Sequence, residues 1–270
     1  MDTDDETTKV LRRRLRIVAA TVAAVTVLVA SAIALGALVT GWNRPAPPAA
    51  VVTGASADGF SVWERNDDGT PVRWDPCSPI ELVLATAELP ETAEQDLADA
   101  VDTLRDATGL ELVVTGTTDE RPSGNRLPYQ PEVHGERGAP VLVAWASPGA
   151  DGLPLRDTDR GVSIPLAVGP PGDRTYVSGQ VVLNAERHDL RPGRRDRVDS
   201  WGATLLHELI HVLGIGHVDD PDELMHVRPG EGPVELGPGD RAGLRAVGAD
   251  GGCREVPTPR PVEVADLPDR

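Results

Sequence analysis

Aromatic side chains are scarce in this 270-residue chain: one Phe, two Tyr and five Trp, 3% of the whole. A core of stacked rings is excluded, and the 40% of hydrophobic residues must bury mainly Val, Leu, Ile and Ala. Cysteine is scarcer still. Cys77 and Cys253 are the only two, and neither belongs to a CxxC pair, which argues against a thiolate metal knuckle or a thioredoxin-like motif. They either pair as one disulfide in an oxidising compartment or stand as unrelated buried thiols. Pairing would close a long loop and contribute a few kcal/mol (~4). Positive charge is in deficit, with 26 Lys and Arg against 43 Asp and Glu, a net charge of -17. That sign repels phosphate backbones. The one compact basic run, residues 191–197, is interrupted by Pro192, Gly193 and Asp196, so it reads as a solvated loop and no nucleic-acid partner is expected.

Long uncharged runs are also rare, with one exception. Residues 1–16 are polar and end in Arg12, Arg13, Arg14 and Arg16, and residues 17–39 then carry neither charge nor proline. As a helix rising ~1.5 Å per residue, this run reaches about 34 Å, enough to cross a hydrocarbon layer of ~30 Å. The arginines should stay on the cytoplasmic side, which places the rest of the chain outside, in a monomeric ectodomain tethered to the cell membrane by a single pass through the lipid bilayer. A cleaved signal peptide, giving a secreted protein, is the competing reading. The run is longer than an ordinary h-region, but Ala30-Ser31-Ala32 offers a processing site. Residues 40–71 read as a Pro-rich linker and stalk, 72–253 as the folded domain, and 254–270 as an acidic, Pro-rich disordered tail.

Within the domain, residues 80–85 read as a strand. Residues 91–107 carry Ala93, Leu97, Ala98, Val101 and Leu104 at helical spacing, with Gly109 as the stop. Residues 110–114, 141–145, 162–168 and 181–183 read as further strands, and 116–138 as loop. A helix from about 200 to 213, capped by Asp199 or Ser200, precedes an irregular stretch and a short helix over 240–247. The order predicts an α+β fold, a twisted mixed sheet packed on helices.

The informative run is His207-Glu-Leu-Ile-His211-Val-Leu-Gly214-Ile-Gly-His217. Positions four apart on a helix point to one side, so His207 and His211 can share one zinc ion. Glu208 lies about 100° round the helix, able to reach a water on the metal without binding the metal itself. Gly214 can end the helix in a left-handed conformation and turn His217 back as a third ligand, and Gly216 removes a side chain beside the metal. Three neutral imidazoles leave zinc one open position for water. For this composition the full pattern is expected by chance roughly 2 times in 100,000, far less often than a bare HExxH.

This run resembles the metzincin metallopeptidases, whose pattern is HExxHxxGxxH followed by a Met-turn. Met225, within Glu223-Leu-Met-His-Val227, looks like that turn. The closest resemblance is to the matrixins. Pro221 to Met225 looks like their Pro-x-x-Leu-Met segment, Leu236-Gly-Pro-Gly-Asp240 with Leu244 like the opening of their last helix, and residues 162–172 like their edge strand and its Pro-Gly exit. The resemblance covers about residues 72–250 and implies a metzincin-like zincin domain. The chain departs from the pattern at His226-Val227, where a matrixin has Tyr-Pro, and at Val218, where Ser or Thr is usual. No propeptide cysteine switch is recognisable, Cys77 being the only upstream cysteine. His134 and His188 are isolated, which puts a structural zinc in doubt, while loop carboxylates and carbonyls leave room for calcium.

The expected function is zinc-dependent hydrolysis of an internal peptide bond in an extended polypeptide. A zinc-activated water is the nucleophile and Glu208 the general base, then acid. If the strand over 162–168 lies at a sheet edge, it can pair with substrate. Two rivals remain in view: a surface binding module that keeps zinc without turnover, and a hydrolase of a non-peptide amide.

Overall fold

In the computed structural model, residues 59–191, 193, 199–228 and 233–259 are described. The basic segment, the expected membrane span over 17–39, residues 40–58 of the linker and the tail from 260 lie outside them. Among the described residues no helix is long and apolar enough to cross a membrane.

The chain runs β1 (Ser61–Val62), β2 (Ile80–Ala85), α1 (Ala93–Thr108), β3 (Leu112–Thr118), a one-turn α2 (Pro131–His134), β4 (Val141–Ala146), β5 (Gly161–Val168), β6 (Thr175–Asn184), α3 (Trp201–Val212), β7 (Ile215–Gly216) and α4 (Pro238–Val247). Five strands form one mixed sheet in the order β3-β2-β4-β6-β5. All neighbours pair in parallel except β5, which lies antiparallel to β6 at one edge. The α+β reading holds, with helices packed on a mixed sheet. Pro165 sits within β5, and an edge tolerates the missing N–H that a central strand would need. β4 shows the opposite case: Val-Leu-Val-Ala-Trp-Ala is buried at every position, as a strand covered on both faces must be.

One face of the sheet meets the helices. Leu97, Val101 and Leu104 of α1 and Leu205, Leu206 and Leu209 of α3 share a core with Val143, Trp145, Val181 and Leu183. Gly109 ends α1 with φ 69°, its N–H donating to the Arg105 carbonyl. Ser200 caps α3, its Oγ accepting from the Ala203 N–H at 3.3 Å. The other face is covered by loops. Gln180 exchanges hydrogen bonds with both backbone groups of Ser123, and Asn184 donates to the Asp159 carbonyl.

Three stretches depart from the sequence reading. β6 starts at Thr175, well before 181, because Ser178 and Gln180 face these loops, where polar side chains find partners. β3 continues to Thr118 as an exposed edge strand: beyond an irregularity between Leu82 and Leu84, Thr117 and Thr118 pair with Leu84 and Ala85. Residues 59–71, read as linker, join the folded body: β1 pairs with β7, and Phe60 packs on the core. The expected loop over 116–138 also holds a buried ionic knot. Glu120 accepts from Arg126 Nε at 2.7 Å, Gln130 Nε2 at 2.9 Å and His134 Nε2 at 2.8 Å, and Arg126 donates onward to Ser178 Oγ and the Gly179 and Pro140 carbonyls. Burial would raise the Glu120 carboxyl, but the Arg126 guanidinium overcomes this and holds it below the usual carboxylate range. Cys77 and Cys253 form a disulfide with Cα atoms 5.4 Å apart, so Cys77 is not a free thiol.

Candidate metal centre

α3 is buried along almost its whole length, and its polar groups converge on one side. His207 Nε2 lies 3.1 Å from His217 Nε2, and His211 Nε2 lies 3.2 Å from the same atom. The opposite ring nitrogens are engaged elsewhere: His207 Nδ1 lies 3.1 Å from the Leu224 carbonyl and His211 Nδ1 lies 2.7 Å from the Ile215 carbonyl. A carbonyl only accepts, so in both rings Nδ1 carries the proton and Nε2 presents its lone pair. A proton on His217 Nε2 could satisfy one of the two short contacts, not both. A cation between the three nitrogens satisfies all of them. Zinc with Zn–N of ~2.0–2.1 Å sets tetrahedral edges of about 3.3–3.4 Å, close to the spacing found, so the donor set fits the ion. Burial is also the main reason the three rings stay neutral. It lowers His207 to about 3, helped by His217, takes His211 well below its ordinary value, and lowers His217 with His226 as a second cause.

Gly214 makes the bend. Its φ is 102°, and a Cβ there would lie 2.9 Å from Tyr176 Cε2 and 3.1 Å from the Val72 carbonyl oxygen. Its carbonyl accepts from the Trp63 N–H at 2.8 Å, which starts the β1–β7 pairing that delivers His217. Gly216 serves this pairing rather than clearing room at the metal: the atom a Cβ would meet is Ser61 Oγ, at 3.0 Å. Trp63 also packs its ring on His211, with centroids 4.8 Å apart.

Met225 is fully buried, and the turn around it is tied on both sides. The Val218 N–H donates to the Met225 carbonyl at 2.9 Å, and the Val227 N–H to the Val218 carbonyl at 2.8 Å. Asp240, at the start of α4, accepts from the N–H groups of Leu224 (2.6 Å), Met225 (3.2 Å) and Gly237 (2.9 Å). Glu223 returns the contact, accepting from the N–H groups of Gly239 and Asp240, both at 2.7 Å. A carboxylate there also meets the positive end of the helix dipole. Sequence reading missed this reciprocal clamp, although an acid three residues into Gly-Pro-Gly-Asp is a capping signal.

Glu208 is 7% exposed and lies against β5. Its Oε2 is 2.7 Å from Ser163 Oγ, which is also 2.6 Å from the Glu208 carbonyl. A Cβ on Gly161 would meet Glu208 Cγ at 2.9 Å, so the close approach of α3 and β5 requires glycine there. Burial pushes the Glu208 carboxyl up to about 7, against the Ser163 hydroxyl and with a smaller rise from Asp159. Ser163, Gly161 and Trp63 carry no motif and were missed.

Among the described residues, one other group could converge on an ion: Asp75 with Cys77 and Cys253, whose thiols are joined in the disulfide. His134 belongs to the Glu120 knot, and His188 is exposed on a loop. No family model matches the chain, and no curated protein matches it in sequence.

Proposed function

We propose that the chain is a zinc-dependent endopeptidase of the matrixin-like metzincin kind, anchored through residues 17–39 with its catalytic body outside the membrane. The observation that carries this reading is the convergence of three Nε2 atoms, those of His207, His211 and His217, with a buried carboxyl at Glu208, the residue after His207. Bound there, zinc would supply Lewis acidity, easing deprotonation of water and offsetting negative charge on a carbonyl oxygen.

The remaining work falls to the chain. Glu208, with a pKa near 7, can take a proton from the attacking water and hand it to the leaving nitrogen. Ser163 fixes one carboxylate oxygen, which leaves the other to face the reacting atoms. β5 is an edge strand, so an extended substrate can add to it by backbone hydrogen bonds while the site acts on the bond alongside. Closure of α3 onto β5 keeps bulk water off the carboxyl.

The test is a peptide-library digest by the purified full-length chain, with bound metal measured on the same sample. Cleavage should stop with chelator, return with zinc, and fall at least about 10³-fold in Glu208→Ala, the loss of a base that no neighbour replaces. Equal activity of wild type and Glu208→Ala would remove the enzyme reading. One equivalent of zinc with no cleavage would favour a binding module.

A further inference from the structure

We propose that the Cys77–Cys253 disulfide is a redox lock on the substrate edge of the sheet, opened by a dithiol such as the paired thiols of a thioredoxin-like protein. Opening it frees a strap over residues 251–256 and weakens the pairing of substrate with β5. The proposal rests on the peptidase reading and adds to it a control that lies outside the metal centre.

Both half-cystines are exposed, which leaves the bond open to attack by a thiolate. The backbone beside them is tied to the body. Arg73, 7% exposed, donates to the Gly251 and Gly252 carbonyls just before Cys253. Asp75 Oδ1 accepts from the Cys77 N–H at 3.1 Å and from the Arg254 N–H at 3.0 Å, so one carboxylate holds the chain on both sides of the bridge. From there the strap crosses to the substrate edge. Arg254 Nε donates to Thr175 Oγ1 at 2.7 Å, and Arg254 Nη2 to Asp173 Oδ1 at 2.5 Å. Thr175 opens β6 and pairs with Val168, the last residue of β5. Val256 packs against Val168 and Tyr129. Within three residues of the bridge, the strap thus grips both strands of the β5–β6 hairpin at its turn.

Residues 252–259 form neither helix nor strand, so the strap has no ladder of its own. The bridge removes most of the freedom such a segment would have. Once it is broken, the strap is held by a few partly exposed bonds and opens locally, which takes Arg254 off the turn and Val256 off the end of β5. The chemistry balances with the dithiol alone. One thiolate attacks a sulfur of the bridge, the S–S bond breaks, and the displaced sulfur takes a proton. The second thiol then attacks the mixed disulfide and releases the other cysteine, which also takes a proton, while the dithiol leaves as a disulfide. When the strap docks again, Asp75 sets the two thiols side by side, so an oxidised partner of the same class restores the lock. A purely structural bridge predicts a different outcome: lower global stability, with substrate binding unchanged in the chain that stays folded.

The experiment uses the full-length, zinc-loaded chain in three forms. One is oxidised, one is reduced by a water-soluble phosphine, which competes little for zinc, and one is oxidised Arg254→Ala, which releases the strap without touching the bridge. Zinc content, melting temperature, kcat and KM on a cleaved peptide, and hydrogen exchange are read on each, well below its melting range. In the reduced chain KM should rise about three- to tenfold, the effect of losing about one backbone hydrogen bond, while kcat changes by less than about twofold. Exchange should quicken at residues 166–177 and 251–256, and zinc should stay at one equivalent. Arg254→Ala should show the same rise in KM and the same local exchange, and reoxidation of the reduced chain should restore its KM. Equal KM in the oxidised and reduced chains overturns the proposal, as does wild-type behaviour of Arg254→Ala. So does a reduced chain that has lost its zinc or its fold, or a bridge that a thioredoxin-like dithiol leaves closed in the native protein. If the oxidised chain cleaves no peptide, the peptidase reading fails, and the lock is then judged by exchange alone: faster exchange confined to 166–177 and the strap upholds it, and unchanged or global exchange overturns it.

Discussion

The most exacting test of the site's construction is Gly214→Ala, which adds one methyl group at the bend between His211 and His217. Two costs follow from the structure. A φ of 102° lies outside the range an L side chain adopts readily, which contributes about 1–3 kcal/mol. The added Cβ also meets Tyr176 Cε2 at 2.9 Å and the Val72 carbonyl at 3.1 Å. Neither neighbour gives way easily. Val72 offers backbone, and Tyr176 is buried within β6, with its N–H bonded to the Arg73 carbonyl. Overpacking of this kind contributes about 1–3 kcal/mol more. The sum, about 2–6 kcal/mol, is a large part of the stability of an ordinary domain and corresponds to a fall in melting temperature of roughly 4–24 °C.

The same change should reach the metal. Gly214 holds Trp63, and the β1–β7 pair that begins there places His217, so relief of the clash displaces the third nitrogen. Zinc affinity should fall about 10- to 100-fold, the usual consequence of disturbing the support of a ligand. Urea denaturation with chelator present isolates the fold term, and competition with a zinc-binding dye gives the metal term. Gly216→Ala is the control. Its Cβ would meet Ser61, with the side-chain Oγ nearest at 3.0 Å, and its φ is not positive, so its cost should stay below about 1 kcal/mol. If Gly214→Ala matches wild type in both measurements, the glycine bend does not position His217.

Two further outcomes follow from buried carboxylates. Asp240→Ala strands the N–H groups of Leu224, Met225 and Gly237, and at ~1–3 kcal/mol for each unpaired donor the loss should exceed about 3 kcal/mol. Urea midpoints, with hydrogen exchange at the Leu224 and Met225 amides, should both register it, and unchanged exchange would refute the clamp. Asp96, 2% exposed on α1, accepts from Thr92 Oγ1, and burial pushes its carboxyl up to about 6. A raised carboxyl binds its proton more tightly in the folded state, so this stability is fully present below pH ~4 and is lost as pH rises through 6. Two units at 1.36 kcal/mol each give at most about 3 kcal/mol. The stability of Asp96→Asn relative to wild type should therefore rise between pH 4.5 and 7.5, and a pH-independent difference would refute the shift.

The parts of the fold legible in the sequence are those written in local periodicity. α1 and α3 fall where apolar spacing and the Gly109 and Ser200 signals place them, because a helix is specified within itself. The three histidines were legible for the same reason, two by helical phase and the third through one glycine. What escaped depends on distant partners. Ser178 and Gln180 look like loop residues until Arg126 and Ser123 arrive from about 55 positions away. The two-residue strand Ser61–Val62 has no period at all, and only Ile215–Gly216 makes it a strand. Ser163 reads as an unremarkable strand serine, and becomes part of the site only when α3 sets Glu208 against it.

These distant contacts show why a helix carrying His207 and His211 is not in itself a metal site. Each of its imidazoles is aimed by a carbonyl that the helix does not supply: Ile215, just past the bend, holds His211, and Leu224, in the Met225 turn, holds His207. The first carbonyl depends on β1 pairing with β7, the second on Asp240 and Glu223 locking the turn to α4. A chain in which residues 214–240 have come loose keeps both side chains on α3 but loses the third nitrogen and the orientation of the other two. Ion binding and the docking of that returning segment must then report one free energy. Metal should protect the Met225 turn from exchange, and mutations in the clamp should weaken the metal without touching a ligand.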